Sequence, residues 1–441
     1  MTMVRPLVVM VGMLVALAVS APLAEAARRV AAPGASGDCT TTPCNIALTF
    51  SGAGTGDEIV ITGTDYGSAG SPITTQLAST AANLDVHGAD GQPRPRIFTD
   101  AGTDANNDGG LKLDGAGTKA RHLEIDAVTG AGTVVHPLAF YFAGATAADL
   151  VVRVSANNGS ACKIEGSATL SNSVCETTGN DGEAVYEFTD APTINNATLR
   201  NVTAVATKST GIAIQAITGA NNTENITVTN SIASVPSGSA AVEAHQGSPG
   251  QARVVLDHSN YGFQSTAFTL GMVVDNGGNQ RFMPPHFAAA GDYHQVAGSP
   301  TIDKGANDSL NGLTDFDGDA RTLGAATDIG ADEFVPPPAP GGPGTGPGGG
   351  GANPGGGGST AQSCVVPKLK GLALPATRRK LARAHCKLGK VKRPKARKGR
   401  KRQKLVVKRQ SAKPGTRLTA NAAVNVTLGP AAKKKPVRKH P

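Results

Sequence analysis

TLSNSV (169–174), TLRNVT (198–203), TVTNSI (227–232) and VLDHSN (255–260) are four versions of one phrase. Their equivalent positions, Asn172, Asn201, Asn230 and His258, lie 29, 29 and 28 residues apart. A regular period of this size marks stacked supersecondary units, none of which can bury its apolar face alone. Within each phrase apolar and polar residues alternate, as in a strand with one side turned inward. Between the phrases a second short strand recurs as Ala184-Val185-Tyr186, Gly211-Ile212-Ala213 and Ala241-Val242-Glu243. Upstream, Leu123-Glu124-Ile125 and Leu150-Val151-Val152 read as earlier units. Coiling such strands stacks Leu on Leu and Asn on Asn. The expected fold is all-β: a right-handed parallel β-helix in which inward aliphatics form the core and buried Asn side chains satisfy turn backbone groups. A leucine-rich repeat, the alternative solenoid, needs a longer Leu pattern and a helical segment per unit, which these phrases lack.

Composition agrees with that reading. The 441 residues include 56 Gly and 28 Pro, no Trp and only 16 Phe and Tyr, which argues against a helical bundle or a membrane channel and for short strands joined by turns. Charge divides the chain. Residues 364–441 hold 26 of the 42 Lys and Arg and none of the 33 Asp and Glu, so this stretch carries +26 and the rest −17. An acidic body with a basic end meets different partners at its two ends, the basic one seeking polyanions.

Arg5, the apolar run Leu7 to Ala18 and the A-x-A site Ala24-Glu25-Ala26 form a secretory signal peptide over 1–26, and no later segment is long and apolar enough to span a bilayer. The protein is therefore expected outside the cytoplasm. Six cysteines suit that compartment and fall as local pairs, Cys39/Cys44, Cys162/Cys175 and Cys364/Cys386, expected as disulfides on proximity alone, since six cysteines allow 15 connectivities. Residues 335–362, with 12 Gly and 7 Pro in 28 positions, form a flexible tether that separates the body at 39–334 from a basic module at 364–429. The Lys/Pro-rich stretch 430–441 reads as a disordered tail.

Two parts of the body carry family resemblances. CTTTPC (39–44), GDEIVI (56–61), LDVHG (84–88) and RPRI (94–97) resemble the opening coils of secreted pectate-lyase-like β-helix proteins. GSPTIDKG (298–305), TDFDGDAR (314–321) and DIGADE (328–333) resemble the closing segment of choice-of-anchor Q proteins, in which a β-helix precedes a surface-attachment device. The basic module resembles a single PASTA domain through VPKLKG (366–371), a helix with Pro375 near its first turn, GKV (389–391), Val406-Val407, Gln410, PGT (414–416) and VNV (424–426). The resemblance implies a small α+β domain, one helix on a three-stranded sheet, that binds peptidoglycan. Leu374, Leu381 and Ala384 would form its buried stripe, and Arg378, Arg379, Lys380, Arg383 and Lys387 would ring the exposed side as ligand-binding residues. The basic run Arg393 to Lys404 departs from the family pattern.

Residues 364–441 contain no Phe, Tyr or Trp, so no aromatic face is offered for stacking a sugar or a base. Their expected partner is peptidoglycan or another anionic wall polymer, bound through charge-assisted contacts that salt weakens, and not a specific nucleic-acid sequence. For the body the expected partner is an extracellular polysaccharide. An enzymatic alternative, a polysaccharide lyase or glycoside hydrolase, would draw on Asp181, Glu183, Arg200 and Lys208. Asn180-Asp-Gly182 reads instead as a turn, so the balance leans away from catalysis and no catalytic residue is assigned. No motif requires a cofactor. Asp315, Asp317 and Asp319 place hard oxygen ligands at alternate loop positions, which suits calcium, although the distal Glu of an EF-hand is missing. The expected function is that of a secreted, cell-wall-associated surface protein.

Overall fold

The computed structural model describes residues 26–100, 108–128, 136–140, 144–189, 194–219, 222–246, 250–266 and 271–336, and then 364–370, 377, 381, 387–394, 405–413, 416–418 and 423–430. Nearly all of the expected signal peptide and tether, and residues 431–441, lie outside these. The chain divides into two units, Met1–Ala339 and Pro340–Pro441.

The first unit is a parallel β-solenoid of about seven turns. Its main sheet stacks strands in chain order from Arg28–Ala31 through Lys119–Ala127, Thr146–Val154, Thr169–Thr177, Ile194–Ala206, Thr223–Thr229 and Gln251–Asp257 to Met272–Asp275. A second parallel sheet runs from Leu77–Ser79 to Phe263–Ser265 and includes Cys162–Ile164, Glu183–Thr189, Ile212–Thr218 and Ala240–Gln246. The recurring short phrases of the sequence fall at the starts of three strands of this second sheet.

Register carries the inward residues into continuous columns. Ala120, Ala147, Leu170, Leu199, Val228 and Leu256 are successive partners on the main sheet. Leu77, Leu111, Leu138, Cys162, Val185, Ile214 and Val242 form the facing column. All of these side chains are buried in one core, each large aliphatic contributing about 1.5–3 kcal/mol. The expected disulfides Cys39–Cys44 and Cys162–Cys175 form. The second crosses the interior, because Cys175 stands in the column Ile125, Val152, Cys175, Ala204 and Cys162 in the column opposite. A short helix, Ile46–Ser51, is capped by Asn45, whose Oδ1 accepts from the Leu48 N–H at 3.1 Å, and adds Ile46 and Phe50 to the first end of the core.

The longer strands of the main sheet bend once. His122, Asp149, Asn172, Asn201, Asn230 and His258 each adopt positive φ between 45° and 59°. Asn and Asp tolerate this left-handed conformation best among residues with a side chain, which explains the phrase-centre Asn of the repeat. Past the bend, strand Ile194–Ala206 leaves Thr223–Thr229 and pairs instead with Ile232–Ser234.

The face beyond the bend is covered by the chain's own return. Strands Phe287–Ala289 and Asp292–Gln295 pair antiparallel, and the closing segment 298–334 then folds back along the coils. Val151, Val174 and Val205 from three successive coils pack against Tyr293, Phe316 and Ala331. Arg153 pairs with Glu124, Asp126 and Glu176, and the Tyr293 hydroxyl donates to Glu176 at 2.5 Å.

The second unit contains strands Lys387–Lys392, Leu405–Gln410 and Ala423–Pro430, with the last between the other two, parallel to the first and antiparallel to the second. Cys364–Val365 pairs with Arg417–Leu418. Val366, Leu369, Leu381, Val407, Val424, Val426 and Leu428 form its core. Leu374, Ala384 and Cys386, and with Cys386 the third expected disulfide, lie outside the described residues.

Candidate functional site

The positive-φ bends stack into a polar ladder, and most of its length is occupied. Asn201 Nδ2 donates to Asn172 Oδ1 at 3.0 Å and to the Asn311 carbonyl of the closing segment at 3.1 Å. Asn230 exchanges two hydrogen bonds with the Ala306 backbone, at 2.7 and 2.9 Å, and donates to Asn311 Oδ1 at 3.1 Å. Arg200 reaches the same Asn311 oxygen at 2.9 Å and pairs with Asp308 at 3.1 Å. The Gly330 N–H donates to the Asn230 carbonyl and the Ala331 N–H to Thr203. The ladder therefore receives the amides and carbonyls of an extended chain.

Beside Asn172 the ladder opens into a cleft of about 300 Å³, lined by Asp90, Gly91, Arg121, His122, Ala148, Asp149 and Asn172, with Thr314 and Asp315 of the closing segment as one wall. Main-sheet strands present its floor. His122 lies between Asp149 Oδ2, 2.9 Å from Nδ1, and the Gln92 carbonyl, 3.0 Å from Nε2. Arg94 holds Asp149 from the other side at 2.8 Å and also donates to the Phe316 carbonyl, joining the floor to the closing segment. Arg121, 39% exposed, pairs with Asp85 at 3.2 Å and lies 3.7 Å from Asp90. Gly88 permits this close layering: a Cβ there would stand 2.4 Å from the His122 carbonyl oxygen.

The sequence-derived aspartates separate into two roles. Asp315 is buried, and its Oδ1 accepts from the Asp317 and Asp319 N–H groups while Oδ2 accepts from Glu333 N–H, so its carboxylate staples the loop. Asp317 turns to His294, whose other ring nitrogen contacts Asp292. His294, Asp317 and Asp332 each offer one ligand atom within 4.8 Å of the others, so the group that could hold a metal shares only Asp317 with the expected triad. Asp317 above all holds the imidazole up to about 10, and burial pushes Asp332 up to about 7. Glu333 is likewise raised to about 7 by burial, with its oxygens accepting from the Leu323 and Asp328 N–H groups. The closing segment has few ladder bonds of its own, and buried carboxylates replace them as acceptors for its backbone.

The alternative catalytic residues are not brought together. Arg200 is committed to the closing segment, Glu183 lies in the second sheet with Ser160 donating to it at 2.7 Å, and Asp181 and Lys208 sit in exposed turns. Asp181 has positive φ, as its turn reading requires. Of the basic residues expected to bind ligand in the second unit, Lys387 is exposed on a strand, and Arg378, Arg379, Lys380 and Arg383 lie outside the described residues. Sequence reasoning missed Arg94, Arg121, His122 and Asp149. A signal was present: His122 and Asp149 immediately precede Leu123 and Leu150, the starts of the two upstream units.

Fold and site together define a parallel β-solenoid with a polar side cleft. No protein-family model matches the chain, and no curated protein matches it. Among solved structures, the crystal structure of pectate lyase Pel9A is similar at a TM-score of 0.32 and 11% identity, covering 70% of this chain and 97% of that one. The fold assignment rests on the strand order and register described above.

Proposed function

We propose that the protein is a secreted, wall-associated surface protein whose solenoid binds an extended, hydroxyl-rich polysaccharide at the open end of the corner ladder. The observation that carries this reading is the ladder's dual state: one stretch holds an extended polar chain, the closing segment, and the next stretch lies open. Arg121, Asp90, Asn172 and Thr314 offer donors and acceptors of both signs on coils about 4.8 Å apart. Interspersed charges suit hydroxyls and isolated carboxylates better than a polyphosphate. Both Asp149 oxygens are held, one by Arg94 and one by His122, which favours binding over the lyase or hydrolase alternative, where a carboxylate must be available to the substrate.

In this reading residues 298–334 act as a choice-of-anchor Q-like closing segment, residues 335–362 as a tether, and residues 364–429 as a PASTA-like module that fastens the protein to peptidoglycan or another anionic wall polymer. Support comes from the +26 charge of residues 364–441 and from a small sheet with its own core. The two disulfides fit an oxidising exterior.

The test is co-sedimentation of the full chain with purified wall sacculi and with insoluble polysaccharides, at low and high salt. Sacculus binding should fall steeply with salt and disappear on deletion of 364–441, whereas polysaccharide binding should persist in salt and be lost in Arg121→Gln. Sacculus binding unchanged by the deletion removes the anchoring role, and polysaccharide binding unchanged in Arg121→Gln removes the cleft.

A further inference from the structure

Two glutamates stand where the solenoid core should be apolar. Glu187 points inward from the second sheet, in register with Ile164 on one side and Ala216 on the other. Glu224 points inward from the main sheet, in register with Asn195 and Ala252. Both have no exposed surface, and their carboxyl groups act directly on each other. Small neighbours, Ala216, Ala244 and Ala252, leave room around the pair where other coils place Ile or Leu.

The hydrogen bonding is one-sided. Glu224 Oε1 accepts from Asn195 Nδ2 at 3.0 Å and from Asn222 Nδ2 at 3.3 Å. Among the described residues the Ala197 N–H is the one backbone donor acting on Glu187, and Glu224 Oε2 accepts from no N–H group. Nor does a lysine or arginine stand among the groups that act most strongly on either carboxyl, while Glu165 adds repulsion at Glu224. Two ionised carboxylates in such a setting need a counter-charge.

We propose that Glu187 and Glu224 form a buried site for a hard divalent cation of the calcium class, bound inside the solenoid between two coils. Carboxylate oxygens of both glutamates meet from facing sheets, the two negative charges match one divalent ion, and the donor set is oxygen alone, which suits calcium and disfavours zinc. The Asn195 and Asn222 amides fix Glu224 so that its other oxygen faces Glu187. The site pins the main sheet to the second sheet at the turn between them, as the Cys162–Cys175 disulfide does in the preceding coil. It is separate from the Asp315 loop and from the corner cleft, and does not rest on the function proposed above.

The experiment is a thermal melt of the full chain at pH 7.5 after chelator treatment and dialysis, with and without added calcium chloride, alongside calcium counting on the dialysed protein. At calcium 100-fold above its dissociation constant the midpoint should rise by about 5 °C or more. Glu187→Gln should abolish that rise and one equivalent of bound calcium. A calcium response retained in Glu187→Gln places the ion elsewhere and overturns the site. Absence of any response to calcium in the wild-type chain also overturns it. Should the variant fail to fold, Asp317→Asn decides: one calcium per chain retained in that variant supports the site, whereas its loss there, or no calcium in the wild-type chain before chelation, refutes it.

Discussion

Leu199→Ala tests the register on which the solenoid rests. Leu199 has no exposed surface and lies between Leu170 and Val228 in the inward column of the main sheet. Its neighbours are held by parallel ladders above and below and cannot collapse into the space, so the cost belongs in the usual Leu-to-Ala range, about 3 kcal/mol. For a unit of this size each kcal/mol moves the melting midpoint by about 2 °C, giving a fall of about 6 °C. Thr198, one residue earlier, points to the other side of the strand, and Thr198→Ala should move the midpoint by less than about 1 °C. Far-UV circular dichroism of both variants gives the comparison directly. Leu199→Asp goes further, placing an unpaired charge in the stacked core, and should prevent folding of the body. Equal shifts for Leu199→Ala and Thr198→Ala, or a larger one for Thr198→Ala, refute the register.

Three further outcomes follow from the packing. Replacing Cys162 and Cys175 with Ala removes a cross-core link that closes a 13-residue separation, and should cost about 3 kcal/mol by denaturant unfolding; an unchanged midpoint would show that the link contributes nothing beyond its packing. Arg321 is buried and donates to the Ala331, Asp328 and Gly330 carbonyls, so Arg321→Met should strand these acceptors and cost about 3 kcal/mol or more, seen as faster proteolysis within 298–334 while the coils stay protected. Burial raises Asp332 and Glu333 to about 7, from 3.8 and 4.5 when unfolded, so the folded segment retains protons that the unfolded chain has released and its stability falls as pH rises from about 4 to about 7. His294, raised from 6.5 to about 10 chiefly by Asp317, adds stability that is complete below pH 6.5 and lost as pH rises through 10. Melting should thus be higher at pH 5 than at pH 8, with Asp332→Asn flattening the difference; a midpoint that rises from pH 5 to pH 8 contradicts this assignment.

The coils from Thr169 to Asn260 were legible because each repeats the same local physics: an alternating strand, a left-handed bend that favours Asn, and a column partner one period away. Leu170 over Leu199 and Asn172 beside Asn201 follow from that period alone. The earlier coils were harder to align, since the bends at His122, Asp149 and Asn172 are 27 and 23 residues apart and carry three different side chains. The closing segment was recognisable by its Asp-rich phrases, but not its position along the coils. Nothing local in TDFDGDAR shows that Asp315 will hold the Glu333 N–H or that Arg94 will reach the Phe316 carbonyl, 222 residues away in sequence. The cleft is equally invisible in the sequence, because its walls come from the ladder coils and from Thr314 and Asp315 of that segment, far apart in the chain.

Whether the open end of the corner ladder binds polysaccharide is decided by isothermal titration of the full chain with soluble oligosaccharides prepared from wall and extracellular polymers. Binding to one such oligosaccharide should be saturable and survive high salt, with a loss of tenfold or more in Arg121→Gln and little change in Arg281→Gln, since Arg281 lies over the Tyr261 and Phe282 rings at a different part of the solenoid. Binding weakened equally by both substitutions, or absent across the panel, contradicts it.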